Sequence, residues 1–300
     1  MRRRFATLDV FTSRRFAGNP LAVVLDAEGL DADAMQRIAR EFNLSETVFV
    51  LPPTDRRHRA KLRIFTPGRE LPFAGHPTVG TAVLLGLQGD SAADAQAFGL
   101  EEEVGTVPCV VERRSPGTGY GRFRLPRLPE VVEGAPGAAE AAWALGLDPA
   151  EIGFDRHEPS RHSAGVTYEF IPVNGLEAIR KARPSTGAFG QSPIGPRPGM
   201  YVYTRETAAE GHHFHARMFG APDFGIPEDP ATGSAAAAFA GALMQFEPLG
   251  DGEHSFVIEQ GYEMGRPSEI QLQIVIESGA LASAEIGGGA VLVSEGEIEA

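Results

Sequence analysis

The stretch that most restricts how this chain can fold is Glu228-Asp-Pro-Ala-Thr-Gly-Ser-Ala-Ala-Ala-Ala-Phe-Ala-Gly-Ala-Leu-Met244. Asp229-Pro230 stops an extended segment, Thr232-Gly233-Ser234 makes a turn, and Ala235 to Met244 then joins strong helix formers with almost nothing polar. A helix that is apolar all round belongs inside a core. Its start carries unpaired backbone N–H groups and a partial positive charge into the interior, where small residues let a carboxylate or phosphate come close. On these residues alone, a catalytic turn and an ordinarily capped core helix are equally good readings.

A second segment has the same character. The turn ending in Gly75-His76-Pro77 feeds a helix of small and apolar residues, and His-Pro-Thr-Val-Gly-Thr-Ala from His76 echoes Asp-Pro-Ala-Thr-Gly-Ser-Ala from Asp229. The two are separated by close to half the chain, so the echo predicts two related halves, each with a central helix, and matches His76 to Asp229. The remaining residues read as many short strands and few helices. Strands are expected at Phe5 to Val10, Leu21 to Leu25, Leu62 to Phe65, Glu101 to Val111, Phe123 to Leu128, Val166 to Val173, Tyr201 to Thr204, His212 to Phe219, Ile270 to Glu277 and Ala290 to Ser294. Asp31 is placed to cap a helix from about Asp33 to Phe42, and further helices are expected at Ala138 to Leu145 and Leu176 to Ala182. Ser115 to Gly119 and Thr186 to Gly199 read as loops, and Gly287-Gly-Gly289 as a connection. The pattern favours an α+β fold with curved, mostly antiparallel sheets wrapped around helices. The proline-rich stretch around Pro126 to Pro136 marks the division: residues 1–128, completed by a C-terminal strand at about 288–300, and residues 129–287.

Composition narrows the function classes. With 27 Lys+Arg against 40 Asp+Glu the formal net charge is −13, which repels nucleic acid and anionic membrane surfaces. The single cysteine, Cys109, excludes an intrachain disulfide and a multi-cysteine zinc site and fits a reducing cytoplasm. No run approaches the ~20 apolar residues of a membrane span. The arginines at the start suggest a transit peptide, but Asp9 and the apolar run from Phe5 argue for a first strand.

Glu46 stands directly before the apolar run Thr47 to Leu51. Burial there would raise its pKa into the range useful for taking and returning a proton near neutrality, while the plainer reading is an exposed glutamate at a strand edge. Gly18-Asn19-Pro20 is a turn that brings an amide side chain with it. His213 and His215 would share a strand face, but no carboxylate stands at matching sequence spacing, so a hydrogen-bonded strand is the better reading than a metal site. No GxGxxG turn follows a strand, and there is no P-loop, GxSxG elbow or HExxH pair.

Taken in order, GNPLAVV (18 to 24), SETVFV (45 to 50), FAGHPTVGTA (73 to 82), EDPATGSAAAA (228 to 238), GYEMGRPS (261 to 268) and GGGAVLV (287 to 293) cover essentially the whole chain and resemble the PhzF-like phenazine-biosynthesis isomerase family. The resemblance implies a diaminopimelate epimerase-like fold: two pseudo-equivalent halves, each a barrel-like sheet around a central helix, with the active site between them. It further implies a homodimer that uses no metal or organic cofactor. Carried over by position, it makes Glu46 the proton shuttle. His76 with the backbone of Gly75, and Asp229 with Ser234, hold and polarise a small carboxylate substrate, and Thr232, Gly233 and Ser234 offer backbone N–H groups. The implied reaction is that of a trans-2,3-dihydro-3-hydroxyanthranilate isomerase. The alternatives are the same chemistry on another metabolite, or a non-catalytic binding protein, against which a buried Glu46 argues. The related epimerases use two facing cysteines. Here the helix starts carry His76 and Asp229, which makes a two-cysteine racemase improbable.

Overall fold

The computed structural model describes residues 1–88, 95–184, 191–192, 195–196, 198–220 and 227–300. The chain forms two compact units, one of Met1–Pro126 with Arg266–Glu269 and Glu285–Ala300, the other of Arg127–Gly265 with Ile270–Ala284.

The first unit runs β1 (Arg2–Val10), β2 (Asn19–Val24), α1 (Ala32–Phe42), β3 (Glu46–Leu51), β4 (Ala60–Phe65), β5 (Glu70–Leu71), α2 (Gly75–Gln88), β6 (Ala95–Glu102), β7 (Gly105–Ser115) and β8 (Thr118–Arg124). In the second lie β9 (Glu130–Val131), α3 (Ala138–Leu145), β10 (Ser160–Ser163), β11 (Thr167–Pro172), α4 (Leu176–Lys181), β12 (Gln191–Ser192), β13 (Gly195–Pro196), β14 (Gly199–Thr204), β15 (Phe214–Phe219), β16 (Glu228–Asp229), α5 (Gly233–Phe246) and β17 (Gly252–Gln260). The chain ends with β18 (Ser268–Glu277) and β19 (Ala280–Glu299), which pass from one unit to the other.

In the first unit the ladders close on themselves. β1 pairs with β2, β2 runs parallel to β3, β3 pairs with β4, β4 runs parallel to β6, β6 pairs with β7, β7 with β8, β8 with β19 and β19 with β1. The result is a closed barrel of eight strands, which leaves no free edge. Helix α2 fills it, buried from Gly75 through Gly86 and packed on β1, β2, β3, β6, β7 and β8. Apart from His76, the side chains it encloses are small or aliphatic. α1 lies outside the barrel, its start capped by Asp31 Oδ1, which accepts from the Ala34 N–H at 2.8 Å. Its buried Met35 and Ala39 pack on Phe49 and Phe65.

The second unit repeats this order. β10 pairs antiparallel with β11, β11 runs parallel to β14, β14 pairs with β15, two-residue β16 pairs with the end of β15, and β17 runs parallel to β15. Helix α5, buried along most of its length, packs on β9, β10 and β11. Its Phe239 meets the rings of Phe170, Tyr201, Tyr203 and Phe214. The fold is therefore α+β with two pseudo-equivalent halves, each a mostly antiparallel sheet around a central helix.

The structure corrects several expected boundaries. Glu101 to Val111 is a hairpin, with β6 ending at Glu102 and β7 starting at Gly105. The Ser115 to Gly119 loop shrinks to a tight turn between β7 and β8, and β8 ends at Arg124 instead of Leu128. Gly287-Gly-Gly289 is the interior of β19. A Cβ on Gly288 would lie 2.4 Å from the Phe11 ring and one on Gly289 2.7 Å from the Thr12 carbonyl oxygen, so glycine here permits close packing within a strand. His212 and His213 precede β15, so His213 does not share a strand face with His215. The 186–199 segment lies mostly outside the described residues; its described pieces β12 and β13 pair antiparallel. Among the described residues no helix is long and apolar enough to cross a membrane.

The echo between His76 and Asp229 is also out of structural register. His76 is the second residue of α2, whereas Asp229 sits in β16, ahead of α5. Because α2 starts at Gly75 and α5 at Gly233, the counterpart of His76 is Ser234. Asp229 instead corresponds to Leu71, since Leu71 pairs with Ile64 in β4 as Asp229 pairs with Met218 in β15. A shared Pro and Gly aligned the two strings, while the backbone aligns the helix starts.

Candidate active site

In the first unit Glu46 and His76 are neighbours. The chain leaves α1 through Asn43 in the left-handed region (φ 51°), and Glu46 opens β3 opposite Leu21 of β2. His76 Nε2 lies 3.3 Å from Glu46 Oε2, and the two side chains are 4% and 13% exposed. This approach is not itself a hydrogen bond, which leaves Nε2 without a hydrogen-bond partner. The Asn19 amide nitrogen is 3.3 Å from Nδ1 and can only donate, so the imidazole carries its proton on Nε2. Burial lowers the His76 pKa to about 3, so the ring is neutral. The pair is thus a carboxyl group beside a neutral N–H donor, at the start of an apolar helix.

Asn19 is held by a clamp. Arg266 donates Nε to the Gly18 carbonyl at 2.7 Å, and Nη2 to the Ala17 carbonyl at 2.7 Å and to Asp9 Oδ1 at 2.5 Å; Asp9 Oδ2 accepts the Phe16 N–H at 2.6 Å. Gly18 itself has φ 65°, and a Cβ there would lie 2.3 Å from the Val10 carbonyl oxygen. Gly18-Asn19 and Arg266 therefore serve the same turn, although they stand at opposite ends of the chain.

In the second unit Asp229, Thr232, Gly233 and Ser234 form the approach to α5. Thr232 occupies the cap position yet makes no side-chain bond to the helix. Its hydroxyl donates to Asp229 Oδ2 at 2.6 Å and accepts from Gln260 Nε2 at 3.0 Å. Gln260 also donates to the Asp229 carbonyl at 2.7 Å and accepts the Thr232 N–H at 3.2 Å, and it is wholly buried. One amide therefore fixes both ends of the turn that presents the Asp229 carboxylate. Ser234 Oγ meets the Tyr168 hydroxyl at 2.8 Å. Glu46, His76 and Gly75 are brought together in one unit, and Asp229, Thr232, Gly233 and Ser234 in the other.

Gln260, Tyr168 and the Arg266 clamp are not among the site residues that the sequence predicts. The one available signal was that Gln260 and Arg266 flank the Gly261-Tyr-Glu-Met-Gly turn. The histidines also found unexpected partners. His212 Nδ1 and His215 Nδ1 donate to Glu259 at 2.7 and 2.6 Å, His215 Nε2 lies 3.0 Å from Glu263, and His213 Nδ1 accepts the Val257 N–H at 3.0 Å. The carboxylates come from β17 and the turn after it, so local sequence spacing did not reveal them. Among the described residues no group of three or more His, Cys, Asp or Glu side chains is placed to hold a metal ion.

Comparison with known proteins identifies the family and the fold. Residues 8–296 match the family described as phenazine biosynthesis-like protein, PhzC-PhzF. The chain is 51% identical to an uncharacterized isomerase of Mesorhizobium japonicum, covering 99% of this chain and 98% of that one. It is 33% identical to the trans-2,3-dihydro-3-hydroxyanthranilate isomerase of Pseudomonas aeruginosa, covering 98% of each. The crystal structure of a PhzF-family phenazine biosynthesis protein from Bacillus anthracis superimposes with a TM-score of 0.88 at 28% identity over 100% of both chains. By family match, identity over nearly full length and shared fold, the chain belongs to the PhzF family of phenazine biosynthesis-like proteins and is an isomerase.

Proposed function

We propose that this isomerase moves a proton between two carbons of a small cyclic carboxylate, in the manner of a trans-2,3-dihydro-3-hydroxyanthranilate isomerase, with Glu46 as the shuttle. The Glu46 carboxylate takes a proton from an sp³ carbon beside the conjugated system, electron density spreads into that system, and the same carboxyl group returns the proton at another carbon of the same face. Atoms and charge balance with no other reactant. Neutral His76 donates its Nε2–H to the atom that gains charge, as such donors do in acid/base catalysis. Asp229 and Ser234 orient and polarise the substrate, and the backbone N–H groups of Gly75, Thr232, Gly233 and Ser234 receive its carboxylate.

The observation that carries this reading is the 3.3 Å approach of a buried His76 to Glu46 at the start of an enclosed apolar helix. The P. aeruginosa relative supplies the substrate type. The more similar M. japonicum isomerase has no named substrate, which favours, as a second reading, the same chemistry on a different carboxylate. Turnover of trans-2,3-dihydro-3-hydroxyanthranilate in D2O, followed by NMR, tests both. Deuterium at the carbon that receives the proton, lost in Glu46→Gln, is expected. No turnover by the unaltered protein removes this substrate, and equal turnover by Glu46→Gln removes the shuttle. We further propose a homodimer, checked by a light-scattering mass twice that of one chain.

A further inference from the structure

The parallel between the two units singles out a residue that the proposed chemistry leaves unused. β4 and β15 correspond residue by residue: Phe65 pairs with Thr47 and Glu70, as Phe219 pairs with Met200 and Glu228. On their parallel neighbours Ala60 lies opposite Leu100 and Lys61 opposite Glu101, as Phe214 lies opposite Ile258 and His215 opposite Glu259. Glu101 therefore corresponds to Glu259, and Glu102 to Gln260. Gln260 holds the approach to α5 through Asp229 and Thr232. Glu102 reaches the equivalent place in its own barrel: Thr78 Oγ1 lies 2.7 Å from Glu102 Oε1 and 2.7 Å from the carbonyl oxygen of Ala74, the residue just before α2.

The Thr78 hydroxyl has one proton for two oxygens at 2.7 Å, and the Ala74 carbonyl, which also accepts the Thr78 N–H at 3.2 Å, can only accept; a proton on Glu102, donated to Thr78, lets both contacts be hydrogen bonds. Glu102 Oε2 has no hydrogen-bond partner, which suits a neutral acid and not a buried anion. The cavity of about 360 Å³ beside it is also lined by Lys61, Arg63, Glu70 and Glu103, with Arg63 already bound to Glu70, and the buried Cys109 of β7 lies nearby. Burial raises the Glu102 pKa to about 8, the Thr78 contact working the other way.

We infer that Glu102 is a positioning residue, a protonated carboxyl group that does for the start of α2 what the Gln260 amide does for the start of α5. The Ala74–Gly75 peptide is planar, so holding the Ala74 oxygen along the helix turns the Gly75 N–H outward, next to His76. The step from this geometry to catalysis rests on the function proposed above for Gly75 and His76; the protonation of Glu102 does not.

The test has two arms. Carboxyl ¹³C NMR of the unaltered protein, with the Glu102 signal assigned by its loss in Glu102→Gln, reads protonation without any substrate. A neutral carboxyl at pH 7 that titrates near 8 is expected, and an ionised one overturns the inference. Ring ¹⁵N shifts of His76 and steady-state kinetics then compare Glu102→Gln with Glu102→Leu. Glu102→Gln is expected to keep the His76 shifts and kcat, while Glu102→Leu shifts the ring signals and lowers kcat about tenfold with little change in KM. Unchanged ring signals in folded Glu102→Leu overturn the positioning role. Absence of turnover in the unaltered protein would count against the proposed function alone, since both NMR readings stand without it.

Discussion

At one strand position the two halves of this protein keep the same residue, and at the next they differ. Glu101 accepts the N–H groups of Thr54 and Asp55 at 2.9 and 2.7 Å and the His58 Nδ1–H at 2.9 Å. Glu259 accepts the N–H groups of Ala208 and Ala209 at 2.5 and 3.1 Å, together with His212 and His215. In both halves a glutamate thus ties down the turn before the equivalent strand, β4 or β15. Both are held at a pKa of about 2. For Glu101 the Asp55 N–H and then His58 are responsible; for Glu259 burial opposes the shift, and His215, the Ala208 N–H and His212 overcome it. One residue on, the carboxyl group of Glu102 and the amide of Gln260 are both neutral, and each serves the start of a central helix. A duplicated architecture preserves the demand at a position more strictly than the residue that meets it.

The comparison can be broken most sharply at the proposed shuttle. Glu46→Gln should lower kcat about a thousandfold, within the usual range for general acid/base groups, whereas Gly199→Ala, at the equivalent first position of β14, removes no proton-carrying group and should lower it far less, through the 3.3 Å approach of its Cβ to the Tyr168 ring; stopped-flow kinetics decide it. Next comes the shared clamp. Glu259→Ala leaves two histidines and two N–H groups without their acceptor and should cost about 3–5 kcal/mol in denaturant unfolding, and Glu101→Ala, whose side chain is more exposed, should cost less.

The residues that differ can then be exchanged. Gln260→Glu, once ionised, loses the donations to the Asp229 carbonyl and Thr232 and should destabilise by about 2–3 kcal/mol at pH 8. Stability should recover in acid as the new carboxyl group protonates, which equilibrium unfolding at several pH values will show. Glu102→Gln should do the reverse and flatten a pH slope. With its folded pKa raised, Glu102 imposes no cost below the unfolded value near 4.5, a growing cost as pH rises from there, and a constant one above about 8. His215 gives the second half an alkaline slope of its own. Burial works to lower its pKa, but bonds to Glu259 and Glu263 more than offset this, so its contribution is full below about 6.5 and declines above. The smallest effect is expected for Tyr168→Phe, which removes the Ser234 contact and should cost about 1 kcal/mol.

The family and the fold class were legible in the sequence because they rest on short, local chemistry. The two apolar small-residue stretches can only be enclosed helices, and the turns before them have few backbone solutions. Glu46 was legible as a carboxylate entering an apolar strand, and Asp31 as a helix cap. The partnership of His76 with Asp229 misled, because a match of Pro and Gly says nothing about where the helix begins.

Long-range pairing, by contrast, was decided only in three dimensions. Gln260 reaches the Asp229 turn, Arg266 reaches Gly18, and Glu259 gathers two histidines, because parallel and closing ladders place them together, and no periodicity in the chain encodes such distances. Tertiary structure also supplies the surroundings that decide the charge on a buried group. A glutamate in the sequence is formally an anion, and only its enclosure beside Thr78, with one carboxyl oxygen left without a partner, makes Glu102 a neutral acid. Sequence determined which helices must be buried, and the barrel around α2 determined what their starts are bonded to.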